Sequence, residues 1–142
     1  MKTVTVCALC LVVLSFGTTA GAASKKQAKA ISEYCHLCEA AFHISERLVR
    51  MLAKHPYEAA LAAYAGKVAD LNSDLFRRIK PPPGAETIKD HFGKAALAFK
   101  KAVLLHKKAQ YKLSDEAGKK CVREFLLAIA EVRRLRREGI IP

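Results

Sequence analysis

The 142-residue chain has no tryptophan, only seven glycines and only five prolines. These counts exclude a collagen-like or low-complexity chain, and five cysteines are too few for a disulfide-dense scaffold. Acidic residues are also scarce: 13 aspartates and glutamates face 25 lysines and arginines, which gives a formal net charge of +12. Because 51% of the residues are hydrophobic, the chain is not a disordered polyampholyte.

The longest apolar run lies at the N-terminus and is too short to cross a membrane. It occupies residues 4–16, after a positive Lys2, whereas a spanning helix needs about 20 residues. Small residues follow the run and form a cleavage site before Ala23. We therefore predict a signal peptide over residues 1–22 and a periplasmic or secreted location, with a retained anchor as the alternative.

Proline and glycine divide residues 23–142 into four segments. A residue that precedes proline is disfavoured in the helical region, so helices end before prolines. The predicted helices are a first that ends near Lys54 or His55, a second from Pro56 to about Ile79, a third from after Gly84 to about Lys112, and a fourth from an N-cap at Ser114 to a stop at Gly139.

Apolar residues recur at steps of three and four in each segment, which is typical of helices with one buried face. The predicted core rows are Ile31, Cys35, Cys38, Phe42, Ser45, Val49 and Leu52, with Tyr34, Leu37, Ala41, Ile44, Leu48 and Met51 beside them; Leu61, Ala65, Val68, Leu71, Leu75 and Ile79; Ile88, Phe92, Ala95, Phe99, Ala102, His106 and Leu113; and Cys121, Phe125, Ala128, Val132 and Leu135. Since the connections are short, we predict an all-α, antiparallel up-down-up-down four-helix bundle that forms a single domain over residues 23–142.

Cys35 and Cys38 form a Cys-x-x-Cys motif near the start of the first helix. Such a pair can be redox-active because a helix N-terminus stabilises a thiolate, but this pair lies on an apolar row and no strand precedes it. Buried structural cysteines, a thiol-redox pair and a metal site all remain open. The predicted helix alignment places Cys121 about 15 Å along the axis from Cys38, which is too far for a disulfide.

The fourth helix ends in four arginines: Arg133, Arg134, Arg136 and Arg137. Favourable interaction with the helix dipole accounts for one or two of them. Together with the net charge, the cluster predicts an anion-binding site for a lipid surface or a polyanion. No basic motif with interleaved aromatic residues is present, so no specific nucleic-acid motif is predicted.

A second candidate site combines Met51, His106 and Cys121. The predicted alignment places all three inward and within about 10 Å of one bundle end. Histidine, thiolate and thioether suit copper, and histidine with methionine could ligate haem. The alternative is that Met51 and Cys121 fill the core and His106 bonds a carbonyl.

Residues 34–39, YCHLCE, resemble the first helix of saposin-like lipid-binding domains, but that family has six cysteines and this chain has three after the predicted cleavage. Paired carboxylates, a Gly-rich phosphate loop, a His-Glu-x-x-His motif and a nucleophile elbow are missing from the sequence. We therefore expect an exported binding or structural protein rather than an enzyme. The alternatives are a haem- or copper-binding bundle and a thiol-redox protein.

Overall fold

A computed structural model describes the backbone of residues 17–142 and the side chains from Ser24 onward. This described part contains four α-helices and no strand, as the sequence predicts. The helices are α1 (Gly17–Lys54), α2 (Ala59–Arg78), α3 (Glu86–Lys107) and α4 (Tyr111–Arg137). The signal peptide predicted over residues 1–22 lies outside the residues whose side chains are described.

The helices pack around α1 and α3, each of which contacts all the other helices, whereas the backbones of α2 and α4 do not approach each other closely within the described chain. Ser114 of α4 contacts Ala102 of α3, and Glu124 of α4 contacts His91 of α3. Residue numbers therefore rise along α4 as they fall along α3, so these two helices run in opposite directions.

Four phenylalanines, one from each helix, form the centre of the core. The Phe42 ring of α1 stacks on Phe125 of α4 at a centroid distance of 4.6 Å and lies 5.0 Å from Phe92 of α3. Phe76 of α2 completes the cluster, with its ring 5.7 Å from that of Phe92. The predicted rows include three of these residues and miss Phe76.

The buried face of α2 differs from the predicted row. Leu71, predicted to be in the core, is 69% exposed, and its neighbour Asn72 is buried instead. The Asn72 amide donates to Ser45 Oγ at 2.7 Å and to the Ala41 carbonyl at 3.2 Å. These bonds compensate the burial of the amide, and the rotated face brings Phe76 into the core.

The second row predicted on α1 is split between core and solvent. Tyr34 and Leu48 are buried, whereas Leu37, Ile44 and Met51 are 45%, 49% and 46% exposed. The three exposed positions are seven residues apart and therefore lie on one side of the helix. The expectation that this whole row faces the core is wrong, because the apolar face of α1 is wider than the surface the other helices cover.

The junction between α3 and α4 comes earlier than predicted. The helix α3 ends at Lys107 rather than about Lys112, because Ala109 has a positive φ of 55°. The helix α4 then begins at Tyr111, so Ser114 is not an N-cap but lies inside α4, where its Oγ donates to the Ala102 carbonyl at 2.9 Å. Neither glycine nor proline marks this turn in the sequence.

Other helix ends lie near their predicted positions. The helix α1 ends at Lys54, and Gly139 follows α4 with a φ of 69°, a conformation that favours glycine. The helix α2 begins at Ala59, three residues after Pro56, because residues 55–58 form a turn in which the Glu58 N–H donates to the His55 carbonyl.

Candidate functional site

An apolar groove with basic rims lies between the outer faces of α3 and α4. It encloses a cavity of about 610 Å³. Its lining consists of Lys94, Leu97, Ala98, Lys101, Leu105, Leu113, Glu116, Ala117 and Lys120. We call it the α3–α4 groove. Leu97 and Leu113 are 63% and 49% exposed, so the groove presents large apolar side chains to solvent.

The spacing along α3 explains why leucine and lysine share this outer surface. Leu97, Lys101, Leu104 and Lys108 follow one another at steps of four, three and four residues, which places them on one face of a helix. Phe99, which is fully buried, lies on the opposite side. All four residues of the outer row are exposed, and Leu104 is 53% exposed. Leu97 and Lys101 line the groove, whereas Leu104 and Lys108 continue the same row beyond its lining.

The lysines of the groove rim, and Lys108 beyond it on the outer row, differ in their pairing. Lys94 lies 2.6 Å from Asp90, whose carboxylate accepts its hydrogen bond. Within residues 24–142, Lys101, Lys108 and Lys120 form no ion pair with a carboxylate. Three positive charges beside exposed leucines are therefore available to an anionic partner.

The predicted arginine site is partly neutralised by the helix itself. The Arg134 guanidinium donates to Glu131 at 2.7 Å and to Glu138 at 2.5 Å, and these hydrogen bonds raise the pKa of Arg134 further above its usual range. Arg136 donates to the Pro142 carbonyl at 3.3 Å.

Arg133 and Arg137 are the remaining members of the arginine site. Both are exposed and form no ion pair among the described residues. The cluster therefore offers an anionic partner less positive charge than its four arginines suggest.

The three described cysteines are free thiols buried in the core. Cys35 is 1% exposed, and Cys38 and Cys121 have no exposed surface. Burial raises the pKa of Cys35 to about 11 and the pKa values of Cys38 and Cys121 to about 12. Burial also raises the pKa of Tyr34, whose hydroxyl lies beside Cys38. A thiolate is the reactive form of cysteine, so this environment favours structural thiols.

We expect these thiols to resist labelling by a thiol-specific reagent at neutral pH until the protein is unfolded. The raised pKa values also predict a loss of stability in alkali, because the folded state retains protons that the unfolded state releases above the ordinary thiol pKa of 9.0. The neutral thiols therefore make their full contribution to the free energy of unfolding below about pH 9. This contribution decreases as the pH rises toward 11 to 12.

Urea unfolding at about neutral pH and at about pH 10 measures this change. The matched control is Cys121→Ala, which removes one titrating thiol and should reduce the pH dependence. Rapid labelling of all three thiols in the native protein would contradict their placement in the core.

The proposed metal or haem ligands Met51, His106 and Cys121 are not brought together. Met51 is 46% exposed and does not face inward as expected, whereas His106 is only 6% exposed. Because α4 begins at Tyr111, Cys121 lies about 15 Å along the helix from the end that holds His106. Among the described residues, no group of three or more His, Cys, Asp and Glu side chains is arranged to hold a metal ion.

Comparison with protein-family models, curated proteins and solved structures finds no match to this chain. Within the described residues, no helix combines the length and apolar character needed to cross a membrane. The interpretation of the α3–α4 groove therefore depends on its own shape and charge.

The net charge and the terminal arginines predict an anionic partner but do not indicate the exposed leucines beside the lysines of α3. The repeat Leu97, Lys101, Leu104 and Lys108 is the signal that could have identified this surface. It was hidden because an exposed leucine on its own is common in proteins and indicates no site.

Proposed function

We propose that this chain is an exported, non-catalytic binding protein that associates with anionic lipid surfaces through the α3–α4 groove. The exposed leucines Leu97 and Leu113 of the groove and Leu104 beside it, next to lysines without carboxylate partners in the described chain, support this function. The antiparallel contacts between α3 and α4 also support the proposed up-down-up-down topology.

A lipid surface suits both kinds of side chain in the groove. Each lysine close to an anionic membrane contributes about 1 kcal/mol of attraction, and complete burial of a leucine contributes about 1.5–3 kcal/mol. Leucines at the level of the lipid headgroups would be removed from water while the lysines stay near the phosphates. Such a surface would bind without any helix crossing the bilayer.

A polyanion is the competing partner, and it would use the lysines and the arginines but not the leucines. Arg133 and Arg137 would then contribute as much as the rim lysines. The same variants distinguish the two partners, because leucine substitutions weaken binding to lipid and leave binding to a polyanion unchanged.

Sedimentation with vesicles tests the proposed function. The protein purified after export is mixed with vesicles of phosphatidylcholine and phosphatidylserine, and separately with vesicles of phosphatidylcholine alone. We expect binding to the anionic vesicles only, with a decrease as salt rises, because charges are screened over about 8 Å at physiological ionic strength. Equal binding to both vesicles, or to neither, would contradict the proposal.

A further inference from the structure

A cavity separate from the α3–α4 groove lies at the end of the bundle where α1 meets α2 and α3 meets α4. It has a volume of about 370 Å³, within the range of small-molecule sites. Apolar side chains, including Val49, Leu52 and Ala102, line it together with His106 and two tyrosines. A second cavity of about 340 Å³ shares His106 and both tyrosines.

The histidine in this cavity has an unused hydrogen-bonding atom. The side chain of His106 is 6% exposed, and its Nε2 is buried without a hydrogen-bond partner in the described chain. Buried polar atoms in native proteins are nearly always paired. A ligand group that hydrogen-bonds to Nε2 would compensate its burial.

Two tyrosines form an aromatic wall next to this histidine. The Tyr111 ring meets His106 edge-on at a centroid distance of 5.1 Å, and Tyr57 meets Tyr111 edge-on at 5.7 Å. Tyr57 is 86% exposed, although its ring lines the cavity. Aromatic edges and faces favour an aromatic ligand over an aliphatic one of the same size.

Two further polar side chains of the lining are already paired. Ser114 Oγ donates to the Ala102 carbonyl, and Asp115 forms an ion pair with Lys119 at 2.6 Å. Nε2 of His106 is therefore the buried polar atom of this lining that lacks a partner in the described chain. A hydroxyl group suits it because a hydroxyl can donate to or accept from the imidazole, whichever tautomer is present, while a buried charged group would lack a partner.

We propose that this cavity binds a small phenolic compound, with the phenol hydroxyl on His106 Nε2 and the ring against Tyr57 and Tyr111. The site is independent of the lipid-binding function, because none of these three residues lines the α3–α4 groove. The chemistry is reversible binding, and no covalent step is involved.

Binding of 2-naphthol to the full exported protein, followed by its fluorescence, tests the proposal, with naphthalene as the probe that lacks the hydroxyl. We expect saturable one-to-one binding of 2-naphthol and at least tenfold weaker binding of naphthalene. His106→Leu should weaken 2-naphthol binding at least tenfold and leave naphthalene binding unchanged. His106→Gln, which keeps a hydrogen-bonding group, should retain most of the affinity.

Tyr57→Ala provides a test that does not depend on the stability of the His106 variants, because the Tyr57 side chain is mostly exposed. It should weaken the binding of both probes while the helical circular dichroism stays unchanged. Absence of saturable 2-naphthol binding to the wild-type protein, or equal affinity for the two probes, overturns the proposal. Unchanged 2-naphthol binding by Tyr57→Ala would contradict the proposed contact between the ligand ring and Tyr57.

Discussion

Phe42→Ala is expected to lower the free energy of unfolding by about 3–5 kcal/mol, the range for truncating a buried phenylalanine. Phe42 is 1% exposed, and its ring lies within 6.2 Å, centroid to centroid, of the rings of Phe76, Phe92 and Phe125. The substitution therefore opens a cavity where all four helices meet. Urea unfolding followed by circular dichroism measures the loss.

Leu71→Ala is the matched control for this prediction. The sequence places Leu71 in the core, whereas in the structure it is 69% exposed. Its truncation should therefore change the free energy of unfolding by less than about 0.5 kcal/mol. A large loss from Leu71→Ala together with a small loss from Phe42→Ala would mean that α2 and α1 bury different faces from those described.

The triple variant Lys101→Gln, Lys108→Gln and Lys120→Gln is expected to weaken binding to anionic vesicles about 100-fold. Each lysine near an anionic membrane contributes about 1 kcal/mol, or roughly a fivefold change in affinity. None of the three forms an ion pair with a carboxylate in the described chain, so their attraction is not already offset. Vesicle sedimentation at low salt measures the change.

The matched control removes three charges from the end of α4 by Arg133→Gln, Arg136→Gln and Arg137→Gln. The sequence predicts the anion-binding site at the terminal arginines rather than at the lysines of α3. The structure favours the reverse order, since the α3–α4 groove combines lysines with exposed leucines. A larger loss of vesicle binding from the arginine variant would indicate that the binding site lies at the end of α4.

A second pair of substitutions separates lipid from a polyanion. Leu97→Ser with Leu104→Ser keeps every charge and should still weaken vesicle binding at least tenfold, because leucine burial in the lipid is lost. The folded state should tolerate both changes, since these side chains are 63% and 53% exposed. Unchanged vesicle binding would leave charge alone as the source of affinity and favour a polyanion partner.

The helix boundaries show which parts of the fold the sequence encodes locally. Proline disfavours a helical conformation in the residue before it, so the end of α1 before Pro56 is predictable. The end of α3 depends on Ala109 taking a positive φ, which alanine rarely adopts and no sequence pattern indicates. The buried face of α2 depends on the hydrogen bond between Asn72 and Ser45, a contact between helices.

The candidate site was predictable in its charge but not in its location. The pairing of Arg134 with Glu131 and Glu138 follows from spacings of three and four residues on a helix and could have been predicted. The location of the α3–α4 groove depends on how α3 and α4 are aligned along their axes. Because the predicted start of α4 at Ser114 is wrong, this alignment could not be predicted correctly. For the same reason Cys121 and His106 were expected to lie closer together than they do.

Attaching an environment-sensitive fluorophore at Leu104→Cys, on the outer face of α3 beside the α3–α4 groove, most directly tests whether this surface meets the lipid. The three native thiols in the described part of the chain are buried with raised pKa values, so the introduced cysteine should be labelled in preference to them. Leu71→Cys places the same fluorophore on α2, whose backbone does not approach α4 closely in the described chain. With anionic vesicles, we predict a blue-shifted emission at position 104 and no shift at position 71. No shift at position 104, or an equal shift at both positions, would contradict binding through this groove.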